Sequence, residues 1–162
     1  MTIPTAKTAA GQSLKVNEEK WTKPLMDAGW TVFPNVFLTR QKALGLDPVD
    51  INILMHLASY WWSAASKPHP SKGTIAEAMG LDPRTVQRHI ARLEKASLIK
   101  RQERRIPKSG SKTNIYHFEG LIEEATPLAN EMIEIKMGKI SAKNALMAKK
   151  GKPVLKVVKS DE

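Results

Sequence analysis

The sequence of 162 residues predicts a mainly α-helical fold with one small β-hairpin. Three observations predict it. Apolar residues recur at helical spacing in three segments, and each segment follows a residue type that commonly caps a helix. Two short stretches with alternating residues come next, separated by a turn-rich loop, as in a hairpin. The apolar content of 41% is enough for a packed core.

The first predicted helix begins after Leu46. Asp47 is a good N-cap, and Pro48 suits the first helical position because that nitrogen needs no hydrogen bond there. Apolar residues continue at helical spacing as far as Trp61 and Trp62, which we expect to pack in the core or at a dimer contact. Upstream, residues 29–38 alternate loosely and predict a short strand or an extended lead-in.

Two further short helices follow, joined by a tight turn. Ser71 is expected to cap the first of them, and Gly80 to end it after about two turns. Asp82 and Pro83 then restart the chain, and a helix is predicted over residues 83–97. Its core-facing residues recur at intervals of four and three: Val86, Ile90 and Leu93.

A strand is predicted over residues 98–104 and a second over 114–119, with a loop rich in turn-forming residues between them. Two short helices that are followed by a strand-loop-strand describe a winged helix-turn-helix. We expect this domain to span residues 30–120.

The flanks of the domain differ from it in composition. Residues 1–29 are predicted to be a flexible N-terminal arm, and residues 149–162 a disordered Lys-rich tail. Between domain and tail, residues 121–148 predict a C-terminal helical segment that is interrupted at Pro127. Its apolar stripe is suited to dimerisation.

The net charge of +10 is unevenly distributed. Residues 84–112 carry 10 basic and 2 acidic side chains, residues 113–135 carry 5 acidic and no basic ones, and residues 136–162 carry 8 lysines and 2 acids. A strong positive charge predicts a polyanionic partner. Because most of the excess coincides with the last helix and the hairpin, nucleic acid is favoured over a membrane surface.

Several classes of function are disfavoured. The absence of cysteine removes disulfides, zinc ribbons and thiol nucleophiles. No basic leader precedes an apolar run, and no window approaches the roughly 18 apolar residues of a membrane span. We therefore expect a cytoplasmic, nucleoid-associated protein without a membrane partner.

No catalytic or nucleotide-binding motif is present in the sequence. Four histidines are scattered along the chain, and their sequence positions show neither metal-ligand spacing nor a carboxylate partner: His56, His69, His89 and His117. We expect no metal, no cofactor and no enzymatic activity.

The polar face of helix 83–97 is predicted to enter the major groove of double-stranded DNA. With Val86 pointing inward, steps of 100° per residue place the basic side chains on the opposite face. The predicted base-reading residues are Arg84, Gln87, Arg88 and Ala91.

Other residues are predicted to contact the DNA backbone. On the two helices they are Ser71, Lys72, Thr74, Thr85, Arg92 and Lys95, with Ser71 equally suited to a capping role alone. The predicted wing, residues 104–113, is expected to reach the backbone or the minor groove. Its candidate contacts are Arg104, Arg105, Lys108, Ser109, Lys112 and Thr113.

The stretch from His69 to Ile99 resembles the bacterial winged helix-turn-helix regulators with the pattern PS…IA…MG…RTVQRHI…LE. With the hairpin and the helix at Asp47, the resemblance covers about half of the chain. It implies binding to double-stranded DNA and, often, transcriptional repression or initiation of plasmid or phage replication. The family usually has glycine where this chain has Ser97.

The leading hypothesis is a sequence-specific transcriptional regulator that binds double-stranded DNA. We expect it to be a repressor and a homodimer on a palindromic site with half-sites about 10 bp apart. One alternative is a plasmid or phage replication initiation protein that binds origin repeats. An alternative of another class is a non-catalytic protein-interaction module with a basic face.

Overall fold

The computed structural model describes residues 15–106 and 110–149, and it confirms the predicted mainly α-helical fold with one hairpin. Its elements are α1 (15–21), α2 (Lys23–Asp27), α3 (Val36–Thr39), α4 (Pro48–Ser59), α5 (Lys72–Met79), α6 (Pro83–Lys95), β1 (Lys100–Ile106), β2 (Gly110–His117) and α7 (Glu119–Lys149). The predicted wing residues Lys108 and Ser109 lie outside the described residues, as does the predicted tail beyond Lys149.

The core forms where α4, α5 and α6 meet. The three predicted core-facing residues of α6 are buried, with exposed fractions of 0 to 2%, which confirms the inward face of that helix. They meet a fully buried row on α4 and the inner face of α5. That row comprises Ile53, Leu54 and Leu57, and α5 contributes Ile75 and Ala76. Helix α6 is thus held on one side, and its polar side faces solvent.

The hairpin closes one end of this core. Strands β1 and β2 pair antiparallel, with Arg101 opposite Tyr116, and the Tyr116 side chain is buried. The backbone N–H of Tyr116 donates to the carbonyl of Pro68 at 2.9 Å, so the segment between α4 and α5 is tied to the hairpin. This bond fixes β2 to the helical core.

The two tryptophans after α4 were expected to continue that helix, and this prediction is wrong. Helix α4 ends at Ser59, so Trp61 and Trp62 lie in the following loop. The Trp61 ring stacks on Phe118 with centroids 5.2 Å apart, whereas Trp62 is 81% exposed. Only one member of the pair packs, because adjacent residues outside a helix point in different directions.

Helix α7 runs for 31 residues through Pro127, so the predicted interruption is wrong. A proline inside a helix removes one hydrogen bond, the one to the carbonyl four residues earlier. That carbonyl belongs to Glu123, and both Glu123 and Pro127 lie on the exposed side of the helix, where water can pair the freed group. None of the described helices, α7 included, combines the length and apolar character that crossing a lipid bilayer requires.

Part of the predicted N-terminal arm is helical. Residues 15–21 and Lys23–Asp27 are helical, and a salt bridge of 2.7 Å between Lys23 and Asp27 spans one turn of α2. Neither α1 nor α2 contains a buried residue, which is why no apolar periodicity indicated them.

The strand or extended lead-in predicted over residues 29–38 is wrong at its end, where α3 forms instead. The adjacent residues Val36 and Phe37 are both buried, and the Phe37 ring lies 5.1 Å from that of Phe33. A strand packed on one face would place Val36 and Phe37 on opposite sides, whereas a helical turn lets both reach the core.

Helix α6 ends in a Schellman motif at Ser97. The N–H of Leu98 donates to the carbonyl of Leu93 at 3.0 Å, and that of Ser97 to Glu94 at 2.9 Å. This geometry requires a left-handed residue, and Ser97 has φ of 59°. The family that this sequence resembles usually has glycine at this position, and glycine adopts the left-handed conformation without strain.

Replacing Ser97 with glycine is expected to raise the free energy of unfolding by about 0.5–1 kcal/mol. Glycine adopts the left-handed conformation without a steric penalty, and the greater entropy of glycine in the unfolded chain offsets part of this gain. Chemical denaturation measures the change. The matched control is Ala96→Gly, one residue earlier at φ of −78°, which should destabilise. A destabilised Ser97→Gly variant would contradict the prediction.

Candidate nucleic-acid interface

The turn between α5 and α6 sets the angle at which α6 is presented. Ser71 caps helix α5, and its hydroxyl accepts from the N–H of Thr74 at 2.9 Å, as the capping prediction required. It ends at Gly80, which has φ of 63°, in the left-handed region that glycine adopts without strain. Asp82 then caps α6 by accepting from the N–H of Arg84 at 2.7 Å.

Helix α6 presents a basic outer face. All four of the predicted base-reading residues are exposed, and so is the predicted backbone contact Lys95. Within the part of the chain that the structure describes, the charged ends of Arg84, Arg88 and Lys95 have no hydrogen-bond or ion-pair partner. These three cations are therefore available to an external anion.

The start of α5 lies beside this face. The ammonium group of Lys72 donates to the amide oxygen of Gln87 at 3.0 Å, which holds the Gln87 side chain in place. Its amide nitrogen remains able to donate. Thr74 is exposed, and its hydroxyl lies 2.8 Å from that of Ser71, so the two predicted backbone contacts of α5 share one hydrogen bond.

The hairpin differs in detail from the predicted wing. Because β2 begins at Gly110, Lys112 and Thr113 belong to a strand rather than to the loop. The register shifts opposite Glu103, so that two residues of β2 face one residue of β1 in a bulge. Arg104 satisfies the bulge by donating to the carbonyl and hydroxyl oxygens of Thr113, both at 2.8 Å. The guanidinium of Arg104 is thus engaged within the hairpin.

Behind the basic face, four charged or titratable side chains join α6 to the first turn of α4. Asp47 and Asp50 form a capping box, in which each carboxylate accepts from the other residue's N–H, at 2.8 and 3.0 Å. Nδ1 of His89 lies 2.8 Å from Asp50, and Nη2 of Arg92 pairs with both carboxylates.

These contacts correct the prediction for His89 and show where Arg92 lies. A carboxylate partner was not expected for any histidine, yet His89 has two within 4 Å, because residues 39 positions apart meet in the fold. Asp47, Asp50 and His89 also have ligand atoms within 4.8 Å of one another, a grouping that suits a metal ion. The cation between the two carboxylates is Arg92, predicted as a backbone contact, and a metal ion would have to displace it.

A second ion pair ties the end of α6 to β1. Arg101 donates to the Glu94 carboxylate through Nε at 2.7 Å and through Nη2, and its backbone N–H adds a bond of 3.2 Å. Hydrogen bonding from the Arg101 guanidinium lowers the pKa of Glu94 below its ordinary value. Both groups are ionised at neutral pH, so they offset each other and add no net charge to the outer face.

No curated protein sequence matches the chain. The crystal structure of the N-terminal domain of DnaD protein from Geobacillus kaustophilus HTA426 is similar at 17% identity over 84% of this chain and 99% of that one, with a TM-score of 0.48. YusO protein from Bacillus subtilis is 14% identical over 91% and 100%, with a TM-score of 0.38.

A third structure, of transcriptional regulator PA3341, is 17% identical over 85% of this chain and 96% of that one, with a TM-score of 0.38. The family model that matches is described as a helix-turn-helix domain and covers residues 44–99, from just before α4 to the end of the Schellman turn. Residues 44–99 match the helix-turn-helix domain family, and with the hairpin that follows them they have the arrangement of a winged helix-turn-helix.

Proposed function

We propose that the protein is a sequence-specific transcriptional regulator that binds double-stranded DNA and acts as a repressor. The observation that carries the proposal is the outer face of α6, which presents Arg84 and Arg88 without partners among the described residues and on the side opposite its buried residues. The major groove is wide enough to admit one helix in this way. We refer to α6 as the recognition helix.

The N-terminal half of the recognition helix is proposed to read bases. Arg84 and Arg88 suit bidentate donation to guanine, Gln87 suits adenine, and the methyl group of Ala91 suits the thymine methyl. The hydrogen bond from Lys72 supports this role for Gln87, because it orients the amide before DNA arrives.

Other groups are proposed to position the protein on the phosphates without reading sequence. Lys95, one turn beyond Ala91, and Thr85 flank the reading face, and the start of α5 offers Lys72 and Thr74. The wing is proposed to follow the backbone or the adjacent minor groove. Its candidate contacts are Lys112, which is exposed on β2, and Arg105, which belongs to β1.

We propose that the DNA-bound form is a homodimer assembled through the second half of α7. Ile133, Met137, Ile140 and Met147 are 44 to 62% exposed and are spaced by four, three and seven residues. This is the spacing of a coiled-coil seam, in which Asn144 occupies the intervening position and a polar residue fixes the register. A two-fold dimer recognises two inverted half-sites.

Selection of bound fragments from the genome of the host tests the proposal. The full chain is mixed with the fragments at near-physiological salt, and the bound fraction is sequenced. We expect enrichment of promoter regions that share a motif of two inverted half-sites about 10 bp apart, the separation of successive major grooves on one side of the duplex.

Other outcomes contradict specific parts of the proposal. Enrichment restricted to iterated origin repeats supports a replication initiator instead of a repressor. Single half-sites argue against the dimer. Equal recovery of all fragments removes sequence specificity, and no recovery of any fragment favours a protein-interaction module with a basic face.

A further inference from the structure

We infer that Arg92 is a positioning residue, which locks the recognition helix to α4 and makes no contact with phosphate. The inference rests on the proposed DNA binding and deepens it, since it separates the basic residues of α6 into those that face DNA and one that holds the helix. It also assigns a role to Asp47 and Asp50, which lie on a different helix from the reading residues.

Burial of Asp50 makes the lock strong. Among the described residues, Asp50 is the charged side chain that is fully buried, with 0% of its surface exposed. An ionised carboxylate in the core needs a cation or several hydrogen bonds. Arg92 supplies the cation, His89 supplies a bond of 2.8 Å, and the N–H of Asp47 supplies one of 3.0 Å.

The two α6 partners lie on successive turns of that helix. His89 and Arg92 are three residues apart, so both reach the same end of α4 from one side of α6. Two attachments along one side restrain rotation of α6 about its axis. Because Arg84 and Arg88 extend from that axis, its rotation decides where their guanidinium groups lie across the groove.

The charges around Arg92 disfavour a phosphate contact. Its Nη2 pairs with two carboxylates, and the Asp47 side chain remains 35% exposed. A phosphate that approached the guanidinium would come close to these carboxylates, which disfavour a second anion there. Lys95, three residues along the same helix, has no ion-pair partner within the described ranges and serves as the contrasting case.

The test compares Arg92→Ala with Lys95→Ala in the full chain. Binding to a selected site and to an unrelated duplex is measured between about 50 and 200 mM salt. Lys95→Ala should weaken both duplexes by the same factor and reduce the slope of log K against log salt by about one. Arg92→Ala should leave the slope unchanged. Its lost charge should weaken both duplexes slightly, and the selected site should weaken about ten-fold more than the unrelated one, the loss expected when base contacts are misaligned.

Asp47→Asn tests the same lock without altering α6. Asparagine preserves the N-cap, and the lost negative charge by itself should tighten binding to every duplex. A positioning role predicts the opposite for the selected site, which should bind several-fold more weakly. The double variant Asp47→Asn with Arg92→Ala should lose no more than Arg92→Ala alone, since both changes break one connection.

Two results would overturn the inference. One is a slope that falls by one unit in Arg92→Ala, as in Lys95→Ala. The other is an Asp47→Asn protein that binds both duplexes more tightly by the same factor. Thermal melting shows that each variant is folded at the temperature of the binding measurements. If the unaltered chain does not distinguish the two duplexes, the proposed function fails; if it does and the slope falls, only the role of Arg92 fails.

Discussion

Replacing Asp50 with alanine is expected to lower the free energy of unfolding by about 2–4 kcal/mol, the combined cost of a lost cap and of buried groups left without partners. The carboxylate accepts from the N–H of Asp47, lies 2.8 Å from Nδ1 of His89 and pairs with Arg92. Its removal takes this acceptor from the first two donors, in a region that is only partly open to water. Urea denaturation measures the change as a shift in midpoint at constant slope.

Asp82→Ala is the matched control for this prediction. Asp82 also caps a helix, with one bond of 2.7 Å to the N–H of Arg84, but it is exposed and has no buried partner among the described residues. Its loss should cost about 1 kcal/mol, the usual value of an N-cap. If Asp50→Ala costs no more than Asp82→Ala, the network between α4 and α6 contributes nothing beyond capping.

Local signals in the sequence were sufficient to predict the helix starts of this domain. Asp47, Ser71 and Asp82 were predicted as N-caps, and each accepts a hydrogen bond from a backbone N–H two or three residues later. Such contacts depend only on neighbouring residues, so residue type and spacing reveal them. The same holds for the end of α5 at Gly80 and for the inward face of α6.

The network behind the recognition helix could not be predicted in this way. His89 contacts a carboxylate 39 residues earlier in the chain, and Arg92 contacts two, 42 and 45 residues earlier. No local pattern encodes such pairings. The half of it that lies within α4, the reciprocal capping by Asp47 and Asp50, does follow a local rule with two acids three residues apart. That spacing was the one sequence signal for this network. It indicates a helix cap, but it does not indicate that His89 and Arg92 contact the two carboxylates.

The errors at the edges of the domain arose where a local rule was given too much weight. Proline at position 127 argues against helix by propensity, and residues 15–27 lack the apolar periodicity that would indicate one. Propensity is a weak preference, and solvent can pair the carbonyl that Pro127 frees on the exposed side of α7. Burial of Val36 and Phe37 similarly overrides the alternating pattern before α4.

The distribution of charge is sharper in the fold than in the sequence. Residues 84–112 contain ten basic side chains, but Arg92 and Arg101 form ion pairs within the protein and Arg104 is bonded to Thr113. The outer face of α6 retains Arg84, Arg88 and Lys95. Net charge therefore overstates the number of cations that a DNA phosphate or base can reach.

Arg88→Ala is expected to lower the affinity for the selected site by about 1–3 kcal/mol, or roughly 5- to 150-fold, and to relax the preference at one base pair. Arg88 is exposed on the outer face, between the predicted readers Arg84 and Ala91. A bidentate arginine discriminates because a wrong base leaves its donors unpaired in the groove. The measurement is competition binding against a panel of single-base variants of the site.

Arg84→Ala supplies an internal check on this assignment. Four residues along a helix advance about 6 Å, nearly two base-pair steps of about 3.4 Å each, so the two variants should relax preferences about two base pairs apart. Lys95→Ala should relax none, since a phosphate contact carries no sequence information. If Arg88→Ala leaves both affinity and preference unchanged, α6 is not the helix that reads the DNA. If Arg84→Ala and Arg88→Ala relax the same base pair, the recognition helix crosses the groove rather than following it.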